Sequence, residues 1–219
     1  MSSVARRTVL AVAAVAAVGA AVAGYRAGRR LQLRYGTAPE EEHAVLPGDD
    51  LVPDADLVAT RAITIDAPPT AVWPWVAQIG QGRGGFYSYD DLENLAGCQI
   101  HSADRVVEEW QDVAVGDEVH LHPDFALPVA VAEPGEALVL HGAGPVDDEG
   151  PVPFDFVWAF VLRPLPGHRT RLIVRERYGY RLDWAAALVE PVSWLSFVMT
   201  ERMLRGIRDR AQAAAGTPS

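Results

Sequence analysis

The chain has 219 residues, 49% of them hydrophobic, and a formal net charge of −10, which is enough for one globular domain with an appendage. A single cysteine excludes a disulfide within the chain. Residues 39–160 carry three arginines against 24 acidic residues, which argues against nucleic acid as a partner of this region, whereas residues 1–38 carry six arginines and no acid.

The N-terminal stretch from Thr8 to Tyr25 contains no charged residue and consists mostly of Ala and Val, with arginines on both sides. A helix of that length measures about 27 Å, close to the bilayer core of about 30 Å. We therefore expect residues 1–35 to be a single-pass membrane anchor. The larger number of arginines after the span predicts a cytoplasmic domain at the cell membrane. The alternatives are a signal peptide cleaved near Ala21 or Ala23 and a soluble amphipathic helix.

Residues 36–57 are acidic and rich in proline without any period, which predicts a linker. The domain itself is expected to cover residues 58–216. It begins with a strand of period two around 61–65, and two prolines then favour the first turn of a helix over 69–79.

A long polar segment, residues 78–110, follows this helix. Long connections within compact domains are often functional. The glycines at 80–85 lack the Lys-Ser/Thr ending of a phosphate-binding loop, so a tight turn is the better interpretation. Ser88 is placed to be the N-cap of a short helix that begins with Asp90 and Asp91.

Short apolar runs alternate with turn signals from residue 105 onward, which predicts consecutive antiparallel strands. In the last two strands large apolar side chains occupy one face, as in a half-buried sheet. Glu176 falls on that apolar face, where a carboxylate needs a partner or a raised pKa. If the faces are reversed, Glu176 is a surface residue paired with Arg175 or Arg177. The expected strands are 105–110, 117–122, 127–132, 136–141, 154–163 and 170–180.

Residues 182–215 are expected to be helical, with Pro191 dividing them into a short and a longer segment. In the longer segment apolar residues recur every three or four positions, which predicts one buried stripe. The run 182–199 is apolar enough to raise the alternative of a second membrane span, although Asp183 and Glu190 argue against it.

Four stretches of the chain resemble the START-like superfamily, also called the polyketide cyclase/dehydrase or SRPBCC group. The resemblance implies an α+β helix-grip fold, in which a curved antiparallel sheet surrounds one long C-terminal helix and leaves a cavity. The block GQGRGGFYSYDDLENLAGCQIHSADRV resembles that of a bacterial membrane-tethered subgroup. The resemblance assigns no catalytic residues. The four stretches are TRAITIDAPPTAVWPWVAQIG (60–80), PFDFVWAFVLRPL (153–165), TRLIVRERY (170–178) and WLSFVMTERMLRGIRDRA (194–211).

Candidate site residues follow from that fold. The polar segment is expected to line the mouth of the cavity, where a few polar side chains would orient an apolar ligand. Proton-transfer catalysis would use His101, Asp104 or Glu176, together with Tyr89. The expected ligand-binding residues are Tyr87, Tyr89, His101, Arg105, Trp158, Phe160, Glu176 and Tyr178.

The leading functional hypothesis is binding of a hydrophobic small molecule or lipid at a membrane. The alternatives are a cyclase- or dehydratase-type enzyme acting on a carbonyl-containing apolar substrate, and an acidic protein-interaction module. Histidines at 101, 120, 122 and 141 with Asp124 raise a weaker metal-site alternative. We expect no metal, no cofactor and no nucleic acid, and the sequence does not determine the oligomeric state.

Overall fold

The computed structural model describes residues 3–143 and 152–216, and the side chains from residue 17 onward within those ranges. The predicted acidic turn at 147–149 lies outside the described residues. The helices are α1 (Ser3–Leu33), α2 (Pro39–His43), α3 (Pro69–Ala77), α4 (Asp90–Leu95) and α5 (Ala185–Ala215), with 3-10 turns at Asp49–Leu51 and Glu108–Trp110. The strands are β1 (Leu57–Ile65), β2 (Glu118–His122), β3 (Phe125–Glu133), β4 (Ala137–Ala143), β5 (Phe154–Leu165) and β6 (Arg169–Tyr180).

The six strands of the described chain form one antiparallel sheet in the order β1-β6-β5-β4-β3-β2. The first strand lies beside the last, so the β5–β6 hairpin occupies the middle of the sheet next to β1. The curved sheet and the long C-terminal helix match the predicted α+β helix-grip class.

Alternate side chains of the central strands form the main core on the inner face of the sheet. Phe160 and Leu162 of β5 and Leu172 and Val174 of β6 are buried there against α3 and α5. This alternation follows from the period of two in a strand. The predicted stripe on α5 is buried at Thr200, Leu204, Ile207 and Ala211, whereas Ala214 at its end and Val198 beside it are exposed.

The segment 36–57 covers the outer face of the sheet. Its acidic side chains bind arginines that project outward from β6: Arg171 to Glu41 at 2.7 Å and Arg175 to Asp49 at 2.6 Å. Leu46 is buried in the same layer. These arginines alternate with the inward-facing residues of β6, so the two faces predicted for this strand are oriented as first expected.

Two predicted elements are wrong. Residues 105–110 form no strand, because the N–H of Val107 donates to the side chain of Gln78 and a 3-10 turn follows. Pro191 does not divide the C-terminal helix, which continues from Ala185 to Ala215. Proline has no N–H, so the carbonyl of Ala187 loses its helical hydrogen bond. Pro191 and Ala187 are both exposed, so this carbonyl remains accessible to water.

Helix α1 includes the predicted membrane anchor, but the side chains of 8–16 lie outside the described residues. Among the residues whose side chains are described, no helical stretch is both long enough and apolar enough to cross a bilayer. The alternative of a second span over 182–199 is therefore not supported, because α5 belongs to this part of the chain.

Candidate functional site

A cavity of about 280 Å³ lies between the inner face of the sheet and α5. Its volume is close to the lower end of the range for small-molecule pockets, about 300–1,000 Å³. Most of its wall is aromatic or aliphatic. The lining residues are Phe86, Ser88, Glu93, Leu121, Phe125, Phe154, Phe156, Trp158, Glu176, Tyr178, Val192, Ser196, Met199, Thr200 and Met203.

The periodicities of a strand and a helix assemble this wall. Phe154, Phe156 and Trp158 are alternate residues of β5 and therefore share one face of the sheet. On α5 the lining residues Val192, Ser196, Met199 and Met203 are spaced by four, three and four positions, which places them on one face of the helix.

A buried ion pair forms the polar end of the cavity wall. Arg61 of β1 lies opposite Val174 of β6, two residues from Glu176, so the two charged side chains are diagonal neighbours on the inner face. Nη1 of Arg61 is 2.7 Å from Oε1 of Glu176, and the two residues are 0% and 2% exposed. Glu176 lines the cavity, whereas Arg61 lies behind it.

Hydroxyl groups of α5 and the end of α1 complete the surroundings of this pair. Oε1 of Glu176 accepts hydrogen bonds from Ser196 Oγ at 2.6 Å and from Thr200 Oγ1 at 3.1 Å. Nε of Arg61 donates to the carbonyl oxygen of Gln32 at 3.0 Å, and the Gln32 side chain donates to the Ser193 carbonyl at 2.7 Å. Gln32 of the N-terminal helix thus links Arg61 to α5.

A second carboxyl group, that of Glu93 on α4, reaches the same cavity. Ser88 Oγ donates to Oε1 of Glu93 at 2.5 Å, while Oε2 has no hydrogen-bond partner among the described residues. Burial raises the pKa of Glu93, and the charge of Asp90 raises it further. Ser88 is therefore not the N-cap predicted from the sequence, because its hydroxyl is directed to Glu93 and Tyr89 precedes the helix.

The phenol of Tyr178 is a further polar group in the wall. Burial, and after it the negative charge of Glu176, raises the pKa of Tyr178 well above its ordinary value. The phenol therefore stays protonated and neutral at physiological pH. The rings of Phe156 and Tyr178 lie 4.6 Å apart between their centroids, which fixes the orientation of the phenol.

Replacing Glu93 by glutamine should change the pH dependence of stability. Because burial raises the pKa of Glu93 above 4.5, its contribution to folding is present at low pH and is lost as the pH rises through the raised value. We expect Glu93→Gln to be at least as stable as the unchanged chain at pH 7 and to lose its advantage at pH 4, measured by urea unfolding. Glu133→Gln on the exposed end of β3 is the control. A variant that is less stable at pH 7 and equal at pH 4 would contradict this assignment.

The structure brings together three of the predicted ligand-binding residues, Trp158, Glu176 and Tyr178, which all line the cavity. Phe160 lies next to them in the closed core, with its ring centroid 4.7 Å from that of Trp158. Tyr87 and Tyr89 line a separate polar depression with Arg202 and Arg210 on the outside of α5.

His101, Asp104 and Arg105 are exposed, and none of them lines the cavity. The prediction that they take part in a site at its mouth is therefore not supported by their positions. Hydrogen bonds from side chains to the neighbouring chain hold this loop. The Asn94 side chain donates to the carbonyl oxygen of Ile100 and accepts from its N–H. The Asp90 carboxylate accepts from the N–H and the hydroxyl of Ser102.

Most of the polar segment is a structural scaffold. Gly80 and Gly85 exchange backbone hydrogen bonds of 3.0 and 2.9 Å and both have positive φ angles, as the predicted tight turn requires. Arg83 closes the turn by donating to the carbonyl of Ala77 at 3.2 Å. Of this segment only Phe86, Ser88 and Glu93 reach the cavity.

The histidines that raised a metal alternative do not form a cluster. His122 is 3.6 Å from Asp124 at the end of β2. Among residues 3–143 and 152–216 no three His, Cys, Asp or Glu side chains form a group that could hold a metal ion.

Sequence reasoning missed Arg61, Glu93, Ser196 and Thr200 as members of the site. Arg61 alternates with isoleucines on the opening strand, so a charged residue on an apolar face was visible. Ser196 and Thr200 are four residues apart on the C-terminal helix, but two hydroxyls at that spacing carry no signal without a partner. Glu93 lies on a short helix with other acidic residues, and nothing in the sequence distinguishes it from them.

Comparison with known proteins does not assign the chain to a family. No family model matches the sequence, and no curated protein matches it either. Similar solved structures include MLL2253 from Mesorhizobium loti, with 15% identity over 70% of this chain and 97% of that chain and a TM-score of 0.41. Ms6760 from Mycobacterium smegmatis has 17% identity, 72% and 92% coverage and a TM-score of 0.41. CalU16 from Micromonospora echinospora has 16% identity, 71% and 84% coverage and a TM-score of 0.33. Similarity at this level says nothing about function.

Proposed function

We propose that this chain binds an apolar small molecule in the cavity between the sheet and α5. The observation that carries the proposal is the wall itself: aromatic and aliphatic side chains surround a space of about 280 Å³ and a few polar groups stand at defined positions in it. Ligand pockets typically combine these two features, since the apolar wall supplies affinity and the polar groups supply orientation.

The cavity has an accessible side along the first half of α5. Val192 lines the cavity and is also 44% exposed, so it stands at the opening. Leu188 and Leu195, four residues before and three residues after it, are exposed on the same face of the helix. An apolar ligand would meet an apolar surface at the point where it enters.

Attachment to a membrane is a further part of the proposal. Val18, Val22 and Tyr25 are exposed on α1, and arginines follow them along the helix. Exposed apolar residues next to basic residues suit contact with a bilayer whose headgroups are anionic. Such a contact would present the chain to ligands dissolved in lipid. We propose a cytoplasmic orientation on the arginine count alone.

A second candidate function is proton-transfer catalysis on an apolar carbonyl compound in the same cavity. Two carboxyl groups with different surroundings, Glu93 and Glu176, both line it. Glu176 is paired with an arginine, whereas burial raises the pKa of Glu93, and such contrasts are common between a base and an acid. This candidate would use Glu93 in place of His101 and Asp104.

The acidic interaction module has less support. Glu41 and Asp49, two acids of the segment 36–57 that such a module would use, already bind Arg171 and Arg175 of the sheet.

Binding of N-phenylnaphthylamine, an uncharged probe that fluoresces in apolar sites, tests the leading proposal. We expect saturable binding to the full chain, weakened at least tenfold by Met199→Trp, because the larger side chain fills part of the cavity that Met199 lines. Val198→Trp, at the exposed neighbouring position, is the control and should bind the probe normally. Equal binding by both variants, or no binding by the unchanged chain, would refute the proposal.

A further inference from the structure

Three buried polar atoms of the cavity wall have no hydrogen-bond partner among the described residues. They are Oε2 of Glu93, Oε2 of Glu176 and Nε1 of Trp158, and all three residues line the cavity. Glu93 is 8% exposed and Glu176 is 2% exposed, so bulk water does not reach them freely. A buried polar group without a partner costs free energy, which a ligand that supplies the partner would recover.

Two of these three atoms are carboxyl oxygens, which accept hydrogen bonds when ionised. The described lining of the cavity contains two acidic side chains and no basic one. Nη1 of Arg61 contacts Oε1 of Glu176, and although its Nη2 has no hydrogen-bond partner among the described residues, Arg61 is fully buried and does not line the cavity. The described lining therefore presents no basic side chain to an anionic ligand.

The surroundings of Glu93 agree with this charge balance. Burial and the neighbouring Asp90 raise its pKa, as expected for a carboxyl group without a cationic partner. The negative charge of an anionic ligand would likewise be buried and close to the carboxyl groups of the wall, which disfavours its binding. A hydroxyl or an amine would instead donate a hydrogen bond to the carboxyl oxygens.

The aromatic wall favours the same ligands. The rings of Phe154 and Phe156 stand beside Tyr178, with centroids 5.6 and 4.6 Å from it, and Phe86 is 5.9 Å from Trp158. The faces of such rings attract cations and repel anions. Nε1 of Trp158 is available to donate to a ligand oxygen, but this donor does not distinguish a hydroxyl from a carboxylate.

We infer that the ligand of this cavity has an apolar body and a polar end that donates hydrogen bonds, an alcohol, a phenol or an amine, and that the site rejects carboxylates and other anions. This inference rests on the proposed binding function. It adds the chemical class of the ligand and assigns Glu93 and Glu176 as the residues that select it.

The inference is tested by calorimetric titration of the full chain with three probes that share a naphthyl ring and differ in their polar end. The probes are naphthylethanol, naphthylethylamine and naphthylacetate. We expect the alcohol and the amine to bind at least tenfold more tightly than the carboxylate at pH 7.5. A carboxylate that binds as well as the other two would overturn the inference and leave the proposed function standing. If none of the three binds and N-phenylnaphthylamine does not bind either, the proposed function fails as well.

Glu93→Gln shows whether the selection comes from the carboxyl groups. Glutamine keeps the acceptor for Ser88 Oγ and removes the charge, so the affinity for naphthylacetate should rise at least threefold while that for naphthylethylamine falls. Glu133→Gln, outside the cavity, should leave the order of the three probes unchanged. An unchanged gap between carboxylate and amine in Glu93→Gln would overturn the role assigned to Glu93.

Discussion

Replacing Arg61 by methionine is expected to lower the free energy of unfolding by about 3–5 kcal/mol. The substitution leaves the Glu176 carboxylate buried at 2% exposure without its cation, and the two hydroxyls that donate to it do not replace a full charge. Gln32 also loses the donor to its carbonyl oxygen. The measurement is urea unfolding of the full chain, followed by tryptophan fluorescence and by circular dichroism.

The second residue of the pair provides the decisive control. Arg61→Met combined with Glu176→Gln removes both charges and keeps an acceptor for Ser196 and Thr200, so it should recover most of the lost stability. Arg34→Met breaks an ion pair with Glu42 in which the arginine side chain is 44% exposed, and should cost at most about 1 kcal/mol. A double variant as unstable as Arg61→Met alone would show that the uncompensated charge is not the cause.

Gly206→Ala is expected to destabilise the chain by about 2–3 kcal/mol, although alanine is the better helix former by about 1 kcal/mol. A Cβ atom on Gly206 would lie 2.2 Å from the carbonyl oxygen of Tyr87 and 2.8 Å from its Cβ. Tyr87 cannot move away easily, because its φ is +56° and its N–H donates to Ser102 Oγ. Helix α5 would have to move away from the Tyr87 loop, whose residues Phe86 and Ser88 line the cavity.

The same substitution at Gly24 is the matched control for this effect. Gly24 also lies within a helix, but nothing stands within 4 Å of the position of its Cβ. We expect Gly24→Ala to leave the unfolding free energy unchanged or to raise it by up to about 1 kcal/mol. If Gly206→Ala were as stable as the unchanged chain, the close contact between α5 and the Tyr87 loop would not be required for packing.

Local patterns of the sequence predicted the strands and helices that have strong periodicity. The alternation along β5 and β6 grouped Trp158, Glu176 and Tyr178 with the large apolar side chains, and the structure shows that this is the inner face. The expected strand at 105–110 failed because side chains distant in sequence decide its backbone hydrogen bonds, Gln78 above all. A window of a few residues contains no information on such a partner.

Three of the predicted site residues lie away from the cavity for a related reason. His101, Asp104 and Arg105 attracted attention because they are polar and close together in the sequence, yet the loop places all three in solvent. Chemical character identifies a candidate, but the direction of a side chain depends on how neighbouring backbone groups are held. In this loop Asn94 and Asp90 hold them.

The sequence by itself determined most of the strands, the alternation along the central strands and the apolar stripe of the C-terminal helix, because periods of two and 3.6 residues are local properties of the chain. The class of fold was implied by the family resemblance. Only the tertiary structure decided that Arg61, Glu93, Glu176 and two hydroxyls of α5 meet at one cavity. These residues come from β1, α4, β6 and α5, and their contacts depend on strand register and helix packing across more than a hundred residues. The segments show Arg61 and Glu176 as charged residues on apolar strand faces, but only the assembled fold shows that the two form an ion pair.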